Sequence, residues 1–324
     1  MTVLVTGAAG FIGFHVSRAL MARGDRVVGV DNVNDYYDPA LKEARLDLLS
    51  ENAAFTSHRA DIADREAMAA VIAAHPEIDR VIHLASQAGV RHSLIDPYIY
   101  THSNVEGHLV MMEACRKLST LKHFVYASSS SVYGANTKMP FSVEDRTDSP
   151  LSLYAATKKA MELMAESYAR MHAMPLTGLR FFTVYGPWGR PDMSYMIFIR
   201  KILAGEPIPV FNNGDMSRDF TYIDDIIAGL VACLDGPPAD GVHPHRVYNI
   251  GNNNTEPLMR FIEVLENALG RKAEYDFLPM QPGDVQATYA DIEATRRDFG
   301  FEPKTSIEEG LPRVVDWYHE FYGG

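Results

Sequence analysis

Short apolar runs alternate with segments of helical periodicity along the first part of the chain. The runs have the length of strands, and their continuous apolar character is typical of strands that are covered on both faces. Predicted strands cover residues 3–5, 26–30, 55–59, 80–84, 123–127 and 176–182. Predicted helices cover residues 14–23, the later part of 34–50, 64–75, 97–117 and 154–172. This alternation predicts an α/β fold in which a doubly wound parallel sheet carries helices on both faces.

The sequence pattern changes after Gly186, where frequent prolines and glycines separate short segments. A helix at 225–234 and a strand at 247–250 then predict that the chain returns to the sheet. Two further helices are predicted at 256–269 and 306–321, within a smaller region of mixed character.

We therefore expect a Rossmann domain over residues 1–187 with a return segment near 219–252, and a mixed domain over 188–324 that mainly binds substrate. The 324 residues are 47% hydrophobic, which is enough for a core of this size. The formal net charge of −12 argues against nucleic acid or an anionic membrane as the main partner. A few well-placed arginines could still bind phosphate.

Cys115 and Cys233 lie far apart and lack metal-ligand spacing, so we expect buried, reduced thiols and no metal site.

The N-terminus enters a strand directly, and no apolar run is long enough to span a bilayer. These features predict a cytoplasmic protein.

Residues 6–13, with the sequence TGAAGFIG, follow the first strand and open the first helix. Gly7 permits a tight turn, Gly10 lets the backbone approach a pyrophosphate, and Gly13 lets the helix pack on the sheet. The N-terminus of the helix would offer free N–H groups and the positive end of its dipole to the phosphates. This context makes a dinucleotide site a better interpretation than a plain glycine-rich turn.

Asp31 ends the second strand, about 20 residues beyond the glycine loop, where a carboxylate accepts hydrogen bonds from ribose hydroxyls. Because that carboxylate would repel a ribose phosphate, NAD is favoured over NADP. Further candidates for the cofactor site lie at the helix start, after the later strands and in the long helix: Phe11, Ile12, Asn32, Asp61, Ile62, Leu84, Ala85, Ser86 and Asn104. Several of these could equally serve ordinary capping or packing.

Tyr154 and Lys158 lie four residues apart, on one face of a predicted helix. A free tyrosine has a pKa of about 10, and an ammonium together with a nicotinium charge would lower it. Four serines, residues 128–131, end the fifth strand at the carboxyl edge of the sheet, where ligands bind in such folds. The hydroxyl of Ser129 could relay a proton from a substrate oxygen to Tyr154. Tyr/Lys pairs at this spacing are common, but the serine run makes a proton-transfer centre the better interpretation.

These motifs together resemble extended short-chain dehydrogenases/reductases that act on nucleotide sugars, over essentially the whole chain. Residues 31–38, 87–91 and 180–193 are more specifically similar to UDP-glucuronate 4-epimerases. Ser86 stands where an alanine is expected in that subfamily. The resemblance implies that Tyr154 takes the proton of the sugar 4-hydroxyl while tightly bound NAD oxidises C4. The 4-keto sugar then rotates and is reduced on its opposite face, which interconverts UDP-glucuronate and UDP-galacturonate.

The resemblance also implies specific ligand contacts. Phe181 and Pro187 would flank the nicotinamide, Arg218 would bind the diphosphate, and Asp284 would bind the ribose with Phe211 beside the uracil. The residues expected around the substrate are Gln87, Arg91, Ser128, Ser129, Ser130, Tyr154, Thr183, Arg190, Phe211, Arg218 and Asp284. Each nucleotide contact could instead be a surface charge or a core aromatic.

A 4-keto uronate is a β-keto acid, which loses carbon dioxide when its carboxylate bond aligns with the carbonyl π-system. Thr183 and Arg190 are expected to hold the carboxylate out of that alignment, with Ser128 and Ser130 as helpers. Arg190 could also be an ordinary loop arginine exposed to solvent.

Three other interpretations stay open. A decarboxylase or dehydratase on the same scaffold is disfavoured because residues 128–131 contain no acid. A UDP-glucose 4-epimerase is disfavoured because the charge of Arg190 would stay unpaired beside a neutral hydroxymethyl group. A non-catalytic NAD-binding regulator is disfavoured by the intact catalytic residues. Relatives often pair through helices like those predicted at 97–117 and 154–172, so we expect a homodimer.

Overall fold

Seven parallel strands form the central sheet, and their spatial order differs from their order in the chain. The computed structural model describes residues 1–238, 244–281 and 283–323. The strands are β1 (Thr2–Thr6), β2 (Arg26–Asp31), β3 (Phe55–Arg59), β4 (Arg80–His83), β5 (His123–Ser129), β6 (Leu176–Phe181), β7 (Thr183–Tyr185), β8 (Ile208–Phe211), β9 (Ser217–Arg218), β10 (Phe220–Tyr222), β11 (His245–Ile250), β12 (Glu256–Pro257) and β13 (Tyr275–Leu278). The sheet order is β11-β6-β5-β4-β1-β2-β3, and every neighbouring pair is parallel. The predicted doubly wound sheet is confirmed, and the predicted return strand is β11.

Helices cover both faces of this sheet. The α-helices of the described residues are α1 (Phe11–Ala22), α2 (Pro39–Ser50), α3 (Arg65–Ala74), α4 (Tyr98–Tyr100), α5 (Gly107–Cys115), α6 (Leu153–His172), α7 (Ser194–Ala204), α8 (Ile223–Asp235), α9 (Leu258–Leu269), α10 (Glu293–Phe299) and α11 (Ile307–Tyr322). Alternate residues of β1 point to opposite faces: Val3 and Val5 join the apolar cluster of α1 and α8, whereas Leu4 joins that of α3, α5 and α6. This alternation explains why the strand is apolar throughout.

The long helix predicted at 97–117 is interrupted. A π-helical stretch, Thr101–Glu106, separates α4 from α5. Asn104 in this stretch is fully buried, and its amide contacts the backbone of Gln87. Single π-helical turns of this kind often occur at functional sites.

Short elements in the last part of the chain escaped the sequence analysis. They include α7, α10 and three small two-stranded sheets, β7–β10, β8–β13 and β9–β12. The prolines and glycines around these segments hide the short periodic patterns between them.

The C-terminal helices pack against the same apolar cluster as α1 and α8. Phe261 of α9 stacks on Phe220 with ring centroids 3.9 Å apart, and Trp317 of α11 lies 5.4 Å from Trp188. The apolar core is therefore continuous across residue 188. The division into a cofactor domain and a substrate domain stays a prediction.

Cys115 and Cys233 are both buried free thiols, as predicted. Within the described ranges, no helix combines the length and the apolar character that crossing a membrane requires.

Candidate active site

A cleft with a cavity volume of about 420 Å³ opens at the carboxyl edge of the sheet. Its size is typical of a site for a small organic ligand. The predicted residues that line it are Gly7, Gly10, Phe11, Ile12, Gly13, Asp31, Asn32, Asp61, Ile62, Leu84, Ala85, Ser86, Gln87, Ser128, Ser129, Ser130, Tyr154, Lys158, Phe181, Thr183 and Arg190. The fold thus brings the predicted cofactor and catalytic residues into one cleft, at the edge where doubly wound sheets bind ligands.

Three glycines shape the turn between β1 and α1. Gly7 has a φ of +73°, and a Cβ atom there would lie 2.8 Å from the backbone nitrogen of Ala85. A Cβ atom at Gly13 would lie only 1.9 Å from the carbonyl oxygen of Gly7. Helix α1 follows Gly10 without a side-chain cap, so its first N–H groups are available to a ligand. This turn therefore fits the pyrophosphate of a dinucleotide.

The backbone fixes the carboxylate of Asp31 at the end of β2. Asp31 Oδ2 accepts a hydrogen bond from Ala9 N–H at 3.0 Å, and Oδ1 accepts one from Val33 N–H at 2.9 Å. Burial raises the pKa of Asp31, and these two hydrogen bonds oppose that rise. Asn32 Nδ2 donates to Asp61 Oδ2 at 3.3 Å, so two carboxylates lie on this side of the cleft. Their negative charge would disfavour a ribose phosphate here.

Lys158 is almost completely buried at the base of the cleft. Its Nζ donates to Ser86 Oγ at 3.0 Å and to the carbonyl oxygen of Ala127 at 2.8 Å. Burial lowers the pKa of Lys158 to about 7, because the protein interior disfavours the ammonium form. The hydroxyl of Ser86 thus supplies an acceptor that an alanine would not.

Tyr154 lies in the same cleft and interacts with Ser129 and Arg190. Burial raises the pKa of Tyr154, and the hydrogen bond with Ser129 and the charge of Arg190 oppose this rise only in part. Ser129 Oγ also lies 3.2 Å from Ser131 Oγ. In the protein alone, the pKa of Tyr154 is therefore not lowered. The predicted lowering required a nicotinium charge in addition to the ammonium.

The hydroxyl of Ser128 is directed to a buried carboxylate. Ser128 Oγ donates to Glu162 Oε1 at 2.7 Å, and Glu162 pairs with Arg180 through two hydrogen bonds of 2.8 and 2.9 Å. Burial raises the pKa of Glu162, but Arg180 and Ser128 together shift it below its ordinary value. Since Ser128 already donates to Glu162, its contact with the sugar stays a prediction, as does that of Ser130, which lines the cleft.

Arg190 faces the cleft with a carboxylate beside it. Arg190 Nε donates to Asp192 Oδ1 at 3.0 Å, and Nη2 donates to Asp192 Oδ2 at 2.7 Å. Tyr36 O–H donates to Asp192 Oδ2 at 3.0 Å. Burial raises the pKa of Asp192, but the charge of Arg190 outweighs it and holds this pKa below its ordinary value. Asp192 therefore remains an anion.

A second cavity, of about 190 Å³, adjoins the first and contains the predicted nucleotide-binding residues Arg218 and Asp284. Arg218 Nη2 donates to Asp284 Oδ1 at 2.8 Å. Arg91 lies over the ring of Phe211, 5.0 Å from its centroid. Burial lowers the pKa of Arg218, Asp284 raises it, and the like charge of Arg91 lowers it again. Two neighbouring guanidinium groups make this end of the site suited to a diphosphate.

Two predicted cofactor residues contact other parts of the protein. Asn104 Oδ1 accepts from Gln87 N–H at 2.7 Å, and Asn104 Nδ2 donates to Thr157 Oγ1 at 3.1 Å. The carbonyl oxygen of Pro187 lies 2.9 Å from His15 Nε2. Asn104 therefore positions Gln87, which lines the cleft, and direct contact of Asn104 or Pro187 with a cofactor stays a prediction.

The sequence analysis missed Lys42 and Arg45, which lie on the buried face of α2. Arg45 is fully buried and donates to the carbonyl oxygens of Ala9 (2.7 Å), Trp188 (2.6 Å) and Gly189 (3.3 Å). It thereby links the glycine turn to the loop before Arg190. The sequence could have indicated both residues, because these two basic side chains, at positions i and i+3, lie within the apolar face of an amphipathic helix.

The model of the NAD dependent epimerase/dehydratase family matches residues 3–251. UDP-glucuronate 4-epimerase 4 of Arabidopsis thaliana is 47% identical over 100% of this chain and 76% of its own length. A probable UDP-glucuronate 4-epimerase of Rhizobium meliloti is 46% identical over 99% of this chain and 98% of its own. The crystal structure of UDP-glucuronic acid 4-epimerase from Bacillus cereus, in complex with UDP-glucuronic acid and NAD, matches with a TM-score of 0.92 and 34% identity. The match covers 99% of this chain and 100% of that chain.

Proposed function

The chain belongs to the NAD dependent epimerase/dehydratase family, and from this membership we propose that it is a UDP-glucuronate 4-epimerase. It interconverts UDP-glucuronate and UDP-galacturonate with NAD as its resident cofactor. The relatives that carry this activity match along nearly the whole chain.

One observation carries the proposal: the cleft with the catalytic residues meets the cavity of Arg218 and Asp284. Ser130 and Thr183 line both spaces. A nucleoside diphosphate held near Arg218 would thus place its sugar at this junction, between Tyr154 and the cavity of the nucleotide.

The residues of the cleft have different roles in the proposed reaction. Bound NAD accepts a hydride from sugar C4 and later returns it to the opposite face. Tyr154 takes the proton of the 4-hydroxyl, and Ser129 hydrogen-bonds the same oxygen. The ammonium of Lys158 favours the phenolate form of Tyr154 through its charge. The turn at Gly7 and the first N–H groups of α1 hold the pyrophosphate.

Arg190 and Thr183 hold the carboxylate of the uronate. The pairing with Asp192 corrects the expectation that a neutral hydroxymethyl group would leave the charge of Arg190 unpaired. Preference for the uronate over UDP-glucose must therefore come from the remaining N–H donors of Arg190 and their direction.

The serine run still disfavours a dehydratase or a decarboxylase. Glu162 contacts Ser128, but its carboxylate is already bound by Arg180 and buried behind the run. Its lowered pKa keeps it ionised, so it is a poor proton donor for an elimination.

To test this proposal, the purified protein is incubated with UDP-glucuronate, without added NAD, and the sugar is identified by NMR. UDP-galacturonate is the expected product, and UDP-glucose offered in parallel measures the preference for the uronate. Formation of UDP-xylose or of a 4-keto pentose as the main product would reject the epimerase in favour of a decarboxylase.

We also propose a cytoplasmic homodimer that pairs through α4–α5 and α6. Support comes from large apolar side chains exposed along these helices, including Tyr98 (81%), Leu163 (60%) and Met171 (62%). Light scattering after gel filtration should give twice the mass of one chain, and a monomer at micromolar concentration would contradict the pairing.

A further inference from the structure

Arg190 presents two different edges to its surroundings, and Asp192 occupies one of them. A guanidinium carries five N–H donors in one plane. Asp192 accepts from two of the five, one on Nε and one on Nη2. Of the three that remain, one on Nη1 and one on Nη2 point along the edge between these two nitrogens. That free edge has the geometry that binds a second carboxylate bidentately.

Asp192 is itself held by a residue from the N-terminal part of the chain. Tyr36 donates to Asp192 Oδ2 across 156 positions of sequence. A Cβ atom at Gly89 would lie 2.7 Å from the Tyr36 hydroxyl oxygen, so the loop at Gly89 packs closely against this hydroxyl. The stretches 31–38, 87–91 and 180–193 therefore meet around one ion pair.

We propose that Asp192, held by Tyr36, is a positioning residue that fixes which edge of Arg190 binds the substrate carboxylate, and so protects the 4-keto sugar from decarboxylation. This inference rests on the proposed function. Without Asp192, Arg190 would keep its charge but lose the contact that fixes the plane of its guanidinium.

The reaction that this arrangement prevents is a simple bond cleavage. When the C5–C6 bond of the 4-keto uronate aligns with the C4 carbonyl π-system, that bond breaks and C6 leaves as carbon dioxide. The electron pair of the bond becomes the C4–C5 enolate, which takes a proton from water at C5 and gives a UDP-4-keto-pentose. The hydride taken from C4 stays on the reduced cofactor, or returns to C4 and gives a UDP-pentose, so both pentoses count as decarboxylated product. A carboxylate held at one edge of a fixed guanidinium cannot turn C6 into that alignment.

The test measures the ratio of decarboxylated product to UDP-galacturonate for wild type, Asp192→Asn and Asp192→Glu. Asp192→Asn should raise the ratio about tenfold, on the scale of a lost charge-assisted contact, with KM for UDP-glucuronate within about threefold of wild type. Asp192→Glu, which keeps a carboxylate, should restore most of the wild-type ratio. Tyr36→Phe keeps both charges and should raise the ratio by a smaller factor.

The chain offers a matched control with the same chemistry at its surface. Tyr248 O–H donates to Asp298 Oδ2 at 2.8 Å, and Arg297 pairs with Asp298 through two hydrogen bonds. Asp298→Asn should leave the ratio unchanged.

A ratio within a factor of two of wild type in both Asp192→Asn and Tyr36→Phe would overturn the inference, whatever happens to KM. If Asp192→Asn fails to fold, Tyr36→Phe decides by the same criterion. A wild-type protein that forms no UDP-galacturonate instead rejects the proposed function, so the two failures are distinguishable.

Discussion

Replacing Ser86 by alanine tests the environment of Lys158 directly. The change removes the acceptor 3.0 Å from Lys158 Nζ and leaves the carbonyl of Ala127 at 2.8 Å. A hydrogen bond to a charged group contributes about 1.5–3 kcal/mol, and one pKa unit corresponds to about 1.36 kcal/mol. Because water can partly replace the hydroxyl, we take the low end of this range. The pKa of Lys158, about 7 in the wild type, should therefore fall by about one unit.

The sign of the effect on activity follows from the role of the ammonium. In the proposed mechanism, only the protonated form of Lys158 stabilises the phenolate of Tyr154 by its charge, so activity should be lost as the pH rises through the pKa of Lys158. In Ser86→Ala the alkaline limb of the kcat/KM profile for UDP-glucuronate should begin about one pH unit lower. Ser86→Thr, which keeps a hydroxyl, is the matched control and should retain the wild-type limb.

The assay is epimerisation across neutral and alkaline pH, with the melting temperature of each variant measured at the same pH values. An alanine variant whose alkaline limb coincides with that of wild type, or moves to higher pH, would refute the assignment of Ser86 as an acceptor for the ammonium. A limb that moves equally in the threonine variant would point instead to the packing of the side chain.

Three other substitutions probe the supports of the site. Glu162→Gln leaves the buried charge of Arg180 without a carboxylate, so the free energy of unfolding in urea should fall by about 3–5 kcal/mol. Because the folded state lowers the pKa of Glu162, this stabilisation is present above the unfolded pKa of about 4.3 and is lost as the pH falls through the folded value. Gly13→Ala would place a Cβ atom 1.9 Å from the carbonyl oxygen of Gly7, and the NAD content of the purified protein, measured after denaturation, should fall sharply. Arg45→Met leaves buried carbonyl oxygens without donors and should lower the free energy of unfolding by about 2–4 kcal/mol in urea.

Each of these has a clear contrary result. Glu162→Gln with wild-type stability at neutral pH would show that the ion pair contributes nothing beyond its desolvation cost. A fully NAD-loaded Gly13→Ala protein would show that the turn can widen. An Arg45→Met protein of unchanged stability would show that water satisfies the freed carbonyl groups.

Local patterns were sufficient for the central sheet with its main helices and for the cofactor end of the site. The apolar runs of β1 and β2 and the glycines between β1 and α1 are consecutive in sequence, so their periodicity and spacing report the structure directly. The same is true of Tyr154 and Lys158, which one helix places on one face. The identity of the substrate was predicted from the resemblance to a family and not from local patterns. The substrate contacts that this resemblance implies remain predictions.

Only the tertiary structure decided which partner each buried polar side chain has. Tyr36 and Asp192 meet across 156 positions, Ser128 donates to Glu162 rather than into the cleft, and Arg45 joins two distant turns. The spacing of apolar residues indicates which positions are buried, because burial depends on the face of the helix or strand that a residue occupies. The partner of a polar group depends on which remote segments the packed core brings together, and no local pattern contains that information.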